Sequence, residues 1–193
     1  MSWIEPIVKL DHYLYRLLHD IARTPFMDAL MSTVSSRRSW LPVLFVICIL
    51  LIIHKRLKFL EIAVVTALAV GATDFTTCGI IKPAVQRVRP EPSSSYSFPS
   101  GHASSSTSAA VVIGFYVPQL APVTVVVAGV IGYSRIYLGA HYPLDVACGA
   151  LLGLLMSMGI LYLRQRLFPP DTDNIITWWK KRTTPTDQGA ENQ

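Results

Sequence analysis

Three short stretches of this 193-residue chain carry side chains suited to phosphoryl chemistry. They read Lys82-x6-Arg89-Pro90, then Pro99-Ser100-Gly101-His102, then Ser134-Arg135-x5-His141-x3-Asp145. A phosphoryl group in transfer spreads charge over its equatorial oxygens and needs several fixed donors. Lys82, Arg89, Arg135, the Ser100 hydroxyl and the Gly101 N–H form such a set, and the planar fork of arginine suits phosphate. Pro99 ends an extended segment, Ser100 is a good N-cap, and His102 falls in the first helical turn. A helix start has unsatisfied N–H groups and a partial positive charge, which favour an anion there.

The two histidines divide the remaining work. Asp145, accepting the Nδ1 proton of His141, leaves Nε2 free to attack phosphorus and form a phosphohistidine. A protonated His102 donates to the leaving alkoxide. Water then releases phosphate from His141. This chemistry needs no metal, the chain has no carboxylate cluster suited to Mg²⁺, and no cofactor is expected. A single histidine at a helix start is more often structural than catalytic; the pair, each with matched partners, reverses that weighting. Ser134 and the serine run at 104–108 are read as packing hydroxyls, and Arg87 receives no role. His12, His19 and His54 lack such partners and are read as interfacial. Tyr96 and Phe98 fit a lipid entrance or simple loop packing equally well.

The elements that position these residues belong to a membrane protein. Hydrophobic residues make up 51% of the chain and charged residues 15%, against roughly 25% charged in a soluble domain. Mean hydropathy is +0.42. The net charge of +5 could suggest nucleic acid, but the basic residues flank apolar runs, the pattern of cytoplasmic membrane flanks. No nucleic-acid partner is expected, and no obligate protein partner is evident. Cys48, Cys78 and Cys148 lie in apolar stretches with neither disulfide nor zinc spacing. The N-terminus, with Glu5 and no basic-then-apolar order, does not read as a cleavable signal.

Residues 1–39 are expected to form interfacial amphipathic helices. Ile7, Leu10, Tyr13, Leu14, Leu17, Leu18 and Ile21 recur at helical spacing, with Lys9, Asp11, Arg16 and Asp20 opposite, and Thr24-Pro25 breaks the run. Residues 40–168 are expected to hold the transmembrane core, with about five spans. These are Trp40 to Ile53, Leu60 to Ile81, Ala103 to Val117, Val123 to about Leu138, and Pro143 to Leu163. Asp74 interrupts the second span and fits either support of the site or a polar helix contact. Gly149, Gly153 and Gly159 permit close helix approach. Lys82 to Pro99 reads as one long polar connection. Residues 169–193 form a basic tail with an interfacial Trp178-Trp179 anchor. The basic segments at 54–58 and 164–182 are expected in the cytoplasm, which puts Lys82–Pro99 and Gly139–Tyr142 together on the outer face. Arg37-Arg38 remains an exception to that charge rule.

Together, the three stretches resemble the signature of the type-2 phosphatidic-acid phosphatase superfamily, matching it in order and without substitution over Lys82 to Asp145. The resemblance implies an all-α integral membrane bundle and a metal-independent lipid phosphatase of the plasma (inner) membrane, multi-pass, its site facing outward. It implies His141 as nucleophile, Asp145 as its partner, His102 as acid, and Lys82, Arg89, Ser100, Gly101 and Arg135 as phosphate ligands. The substrate implied is a phosphorylated membrane lipid. Phosphatidylglycerol phosphate, undecaprenyl diphosphate, phosphatidate and the lipid A 1-phosphate all remain open, with the first two favoured. Two other readings compete. One is a non-catalytic anionic-lipid binder or transporter, which would not need the His141–Asp145 pair. The other is the related vanadate-dependent haloperoxidase site, whose soluble enzymes the apolar spans disfavour.

Overall fold

The structure, a computed structural model, describes residues 4–21, 23–36, 38 and 57–168. The expected span from Trp40 to Ile53, His54 and the tail beyond residue 168 lie outside the described residues. Within those described, regular structure is entirely helical: α1 (Ile4–Asp20), α2 (Pro25–Ser35), α3 (Leu57–Asp74), a π-helix (Phe75–Ile81), α4 (Lys82–Val85), α5 (Gly101–Tyr116), α6 (Ala121–Tyr137) and α7 (Pro143–Leu167). A 3₁₀ turn at Pro118–Leu120 joins α5 to α6.

Helix α5 is the central element, packed against α3, α6 and α7. Its sequence explains that position. Gly101, Ala103, Ser104, Ser108 and Ala110 are all buried, and small side chains let neighbouring backbones come close. The closest approach is to α7, where a Cβ at Gly153 would lie 2.2 Å from the Ser104 carbonyl oxygen and one at Gly149 2.5 Å from that of Ser100. Gly159 faces open space, with nothing within 4 Å. Of the three glycines expected to permit close contact, two therefore do so; Gly159 has been carried past the contact face by the helical pitch. Hydroxyls knit the same interfaces: Thr77 Oγ1 lies 3.1 Å from Ser104 Oγ, and Ser157 Oγ 2.8 Å from Ser108 Oγ. A small apolar core of Val65, Ala69, Val112 and Leu161 closes the far half of the bundle.

Among the described residues, three helical stretches are long and apolar enough to cross a membrane: Lys58–Val85, Pro118–Tyr137 and Pro143–Leu167. Their outer faces expose large apolar side chains, among them Leu68, Phe75, Val126, Leu155 and Met158. Such surfaces are stable against lipid, and the protein is a membrane protein.

Two elements differ from the sequence reading. Lys82 does not begin a loop, because the helix continues through it to Val85. The Lys82 N–H bonds to the Thr77 carbonyl, five residues back. That π widening sits a turn before Pro83, where a wider helix relieves the clash between the proline ring and the carbonyl one turn earlier. The polar connection therefore begins at Gln86, whose left-handed backbone (φ 54°) ends the helix.

The second difference concerns α1. Its apolar stripe (Ile7, Leu10, Tyr13, Leu17, Ile21) is exposed, as expected of a helix meeting lipid. Lys9, Arg16 and Asp20 are exposed as well, but Asp11 is only 4% exposed. Rather than only lying on a bilayer, α1 packs on α6 and α7 and turns Asp11, His12, Tyr15 and His19 inward. His12 and His19 consequently have partners. His12 stacks on Tyr142 (centroids 4.6 Å, 9° between planes), and His19 Nδ1 lies 3.3 Å from the Ile136 carbonyl.

Candidate active site

The end of α4, the 86–100 connection, the start of α5, the end of α6 and the start of α7 meet at one end of the bundle. Local sequence sets each of them. Ser100 caps α5, its hydroxyl accepting from the Ala103 N–H at 3.4 Å. This places Gly101 and half-buried His102 in the first turn. Ser97 is fully buried and folds the connection on itself, its N–H donating to the Arg87 carbonyl at 2.7 Å. After α6 the chain reverses at Gly139, whose φ of +69° suits a residue without a Cβ. The Arg135 carbonyl then accepts from the N–H groups of both Ala140 (3.0 Å) and His141 (3.1 Å). That fold-back explains the x5 spacing, since it returns His141 to the helix end carrying Arg135.

Pro143 opens α7, and Asp145 falls in its first turn, where the side chain accepts from the Tyr142 N–H at 2.9 Å. The Ser100 N–H donates to the Asp145 carbonyl at 2.9 Å. The second and third stretches are thus joined through backbone, with Gly149 of α7 pressed against Ser100 one turn deeper.

His141 Nδ1 stands 3.7 Å from Asp145 Oδ2. This is longer than a hydrogen bond, a separation of the kind that tightens when substrate binds. His141 is buried (1% exposed). Its pKa lies below the ordinary histidine value because burial disfavours the cation and because Arg89 and Lys82 repel it, with Asp145 pulling the other way. The neutral imidazole is therefore favoured. Lys82 stands within electrostatic reach of Arg89, Arg135 and Asp145, so the basic residues of the first and third stretches share one small volume. Two of them also bond to protein: Arg89 Nε donates to the Ser95 carbonyl at 3.0 Å, and Arg135 donates to the Ser35 hydroxyl of α2. Ser134 is buried and donates to the Ile131 carbonyl at 2.7 Å, the bond of a packing hydroxyl.

Sequence reasoning missed Arg87. Its guanidinium bridges Asp145 Oδ1 and Asp11 Oδ2, at 2.6 Å each, and lies over the Tyr142 ring at 4.3 Å. Burial by itself would lower its pKa, but the hydrogen bond and charge of Asp11, together with Asp145, hold it above the ordinary value. A signal was present: in an extended Arg87-Val88-Arg89 segment, residues two apart share a side. Val88 is indeed 78% exposed while both arginines turn inward. For Asp11 there was no signal; its partners lie 76 and 133 residues away. Asp74, left open above, lies beside Gly101 and accepts from the Cys78 thiol at 3.7 Å. This is a polar helix contact under the Ser100–Gly101 turn.

The model of the PAP2 superfamily matches residues 12–169, and the chain belongs to that family. It is 36% identical over 105 residues to phosphatidylglycerophosphatase B of Bacillus subtilis, covering 46% of this chain and 52% of that protein. It is 33% identical over 124 residues to an undecaprenyl-diphosphatase of Sulfolobus acidocaldarius, covering 59% of this chain and 58% of that protein. The chain thus spans about half the length of these curated relatives. Its fold resembles the crystal structure of a transmembrane PAP2-type phosphatidylglycerolphosphate phosphatase from Bacillus subtilis. The TM-score is 0.67 at 23% identity, over 85% of this chain and 89% of that one.

Proposed function

We propose that this PAP2-superfamily chain hydrolyses the phosphomonoester or diphosphate of a membrane lipid through a phosphohistidine on His141. The observation that carries the reading is a buried imidazole, kept neutral and set between one carboxylate and a group of cations. Lys82, Arg89, Arg135, the Ser100 hydroxyl and the Gly101 N–H hold the phosphoryl oxygens. Nε2 of His141 attacks phosphorus, the bond to the leaving oxygen breaks, and His102 passes its proton to that oxygen. Asp145 stabilises the imidazole as it gains positive charge. Water, deprotonated by His102, then cleaves the N–P bond, yielding inorganic phosphate and restoring both histidines. Cations already in place supply the electrostatic stabilisation, so no metal is required by this scheme.

On this reading residues 40–168 are the phosphatase core, 1–39 an interfacial segment and 169–193 a cytoplasmic tail. The protein resides in the plasma membrane with its site on the outer face. Phosphatidylglycerol phosphate and undecaprenyl diphosphate are the favoured substrates. They suit a small envelope enzyme, and relatives named for activity on such lipids support them. The test is phosphate release by purified protein from a panel of these two lipids, phosphatidate and lipid A, with and without chelator. Release is expected to persist in chelator and to vanish in His141→Ala. Activity surviving that substitution would remove the mechanism, and no release from any of the lipids would remove the function.

A further inference from the structure

The Asp11–Arg87 pair joins the N-terminal helix to the carboxylate beneath His141, and the catalytic scheme above makes no use of it. Asp11 is 4% exposed and Asp145 0%, while the Arg87 side chain between them is 19% exposed. Both Asp11 oxygens are engaged: Oδ2 accepts from Arg87 and Oδ1 from the Leu144 N–H at 2.8 Å. Both Asp145 oxygens are engaged too, Oδ1 by Arg87 and Oδ2 by the Tyr142 N–H. The α7 start is thus held on either side of Pro143, at the Tyr142 and Leu144 N–H groups, by two acids on different helices, and one guanidinium bridges those acids. His12 of α1 stacks on Tyr142 from one side, and Arg87 lies over the same ring. Buried charges of this kind are costly unless fully paired, and these are.

We propose that Asp11 and Arg87 are positioning residues for the phosphatase reaction, fixing the rotamer of Asp145 and tempering the field it exerts on His141. The inference rests on the proposed reading of the site. Oδ2 of Asp145, which accepts from the Tyr142 N–H, stays turned toward His141 when Oδ1 is held, and Arg87 holds it. Without Arg87 the carboxylate keeps only the Tyr142 N–H, about which it can tilt, and its full charge falls on the imidazole. The charged or titratable groups around His141 are Lys82 from α4, Arg89 from the connection, Asp145 from α7 and Arg135 from α6, while His102 lies in the first turn of α5, which packs on α7. Tyr142 adjoins it in sequence, and Arg87 and Asp11 stand behind Asp145. Only the last two reach His141 through Asp145.

The experiment uses the full chain in detergent or nanodiscs, with Arg87→Gln, Arg87→Lys, Asp11→Asn and the double variant Asp11→Asn/Arg87→Gln. Lys9→Ala, on the exposed face of α1 (Lys9 side chain 75% exposed), is the control and retains wild-type turnover. Arg87→Gln is expected to lower kcat about 10- to 100-fold, the scale for small misplacements of a catalytic group, with KM within about twofold. Arg87→Lys recovers only part of this, because an ammonium cannot fork between two carboxylates. The double variant is no worse than Arg87→Gln, since both changes remove one bridge.

A second readout needs no substrate: the His141 imidazole titration, followed by NMR of histidine-labelled protein. Removing the Arg87 cation raises its midpoint, and removing the Asp11 anion lowers it. A tether that served folding alone would leave the midpoint unmoved. Turnover of Arg87→Gln within twofold of wild type, or a titration indifferent to both variants, overturns the proposal. Loss of the phosphatase reading, by contrast, would show in His141→Ala and the lipid panel while the titration still reported on Arg87 and Asp11.

Discussion

Adding one methyl group at Gly149 tests whether the contact between α5 and α7 sets the geometry of the active site. A Cβ there would lie 2.5 Å from the Ser100 carbonyl oxygen and 3.2 Å from the Ser100 nitrogen. Both are backbone atoms that no rotamer change can move. Since non-bonded heavy atoms settle at about 3.5 Å, the helices must part by about 1 Å at this level. Ser100 caps the helix carrying His102, and its N–H bonds to the Asp145 carbonyl, so the separation falls between the proposed acid and the partner of the nucleophile. A misplacement of about 1 Å is worth about 100-fold in rate, or about 2.7 kcal/mol of transition-state stabilisation. Overpacking costs about 1–3 kcal/mol, offset by about 1 kcal/mol from the helix preference of alanine over glycine.

Gly149→Ala is therefore expected to lose about 100-fold in kcat/KM with at most about 2 kcal/mol of stability. Gly153→Ala, one turn deeper with its Cβ 2.2 Å from the Ser104 oxygen, should lose more stability and less activity. Gly159→Ala meets nothing within 4 Å and should be neutral or slightly stabilising. Phosphate release and thermal unfolding of the three variants in one detergent make the comparison. Wild-type turnover and melting in Gly149→Ala would refute the close-contact reasoning, as would a Gly159→Ala defect matching the other two.

Two further outcomes follow from the electrostatics. In the proposed mechanism His141 must be neutral to attack, and its pKa is lowered from 6.5 by burial and by Arg89 and Lys82. The acidic limb of kcat/KM should then fall below pH 6.5, with a basic limb from loss of the His102 proton; an acidic midpoint above that value would contradict the buried, cation-flanked imidazole. At the opposite end of the bundle, Glu61 accepts from Arg164 Nε at 2.8 Å and from the Tyr116 hydroxyl at 2.9 Å. Breaking such a pair costs about 3 kcal/mol, so Arg164→Gln should lower the melting temperature while leaving KM unchanged. A change in KM without a change in melting would mean that this cluster serves the site instead.

Much of the site was legible because its residues are tied by short covalent spacings. Four residues across the loop into the first turn of α7 bring His141 beside Asp145. Ser100 before a run of small residues marks a helix start, as does Pro143, and Thr24 before Pro25 caps α2, accepting from the Met27 N–H at 3.2 Å. The apolar runs likewise specify helices that face lipid. In each case the information is local, carried by propensity, capping or periodicity.

The sequence alone therefore determined the candidate side chains, the membrane class and most helix starts. Only the tertiary structure decided which of the remaining polar residues join them. Asp11 looked like one of four charges on the outer side of an amphipathic helix, yet it is the one that turns inward, because α1 docks on α6 and α7. Arg87 looked like a spare cation and sits between two buried acids. Gly149 and Gly153 touch α5 while Gly159 does not, and Glu61 meets an arginine 103 residues away. Such pairings depend on how whole helices rotate and cross, which the sum of many small packing contacts decides, and no spacing within a single segment encodes that sum.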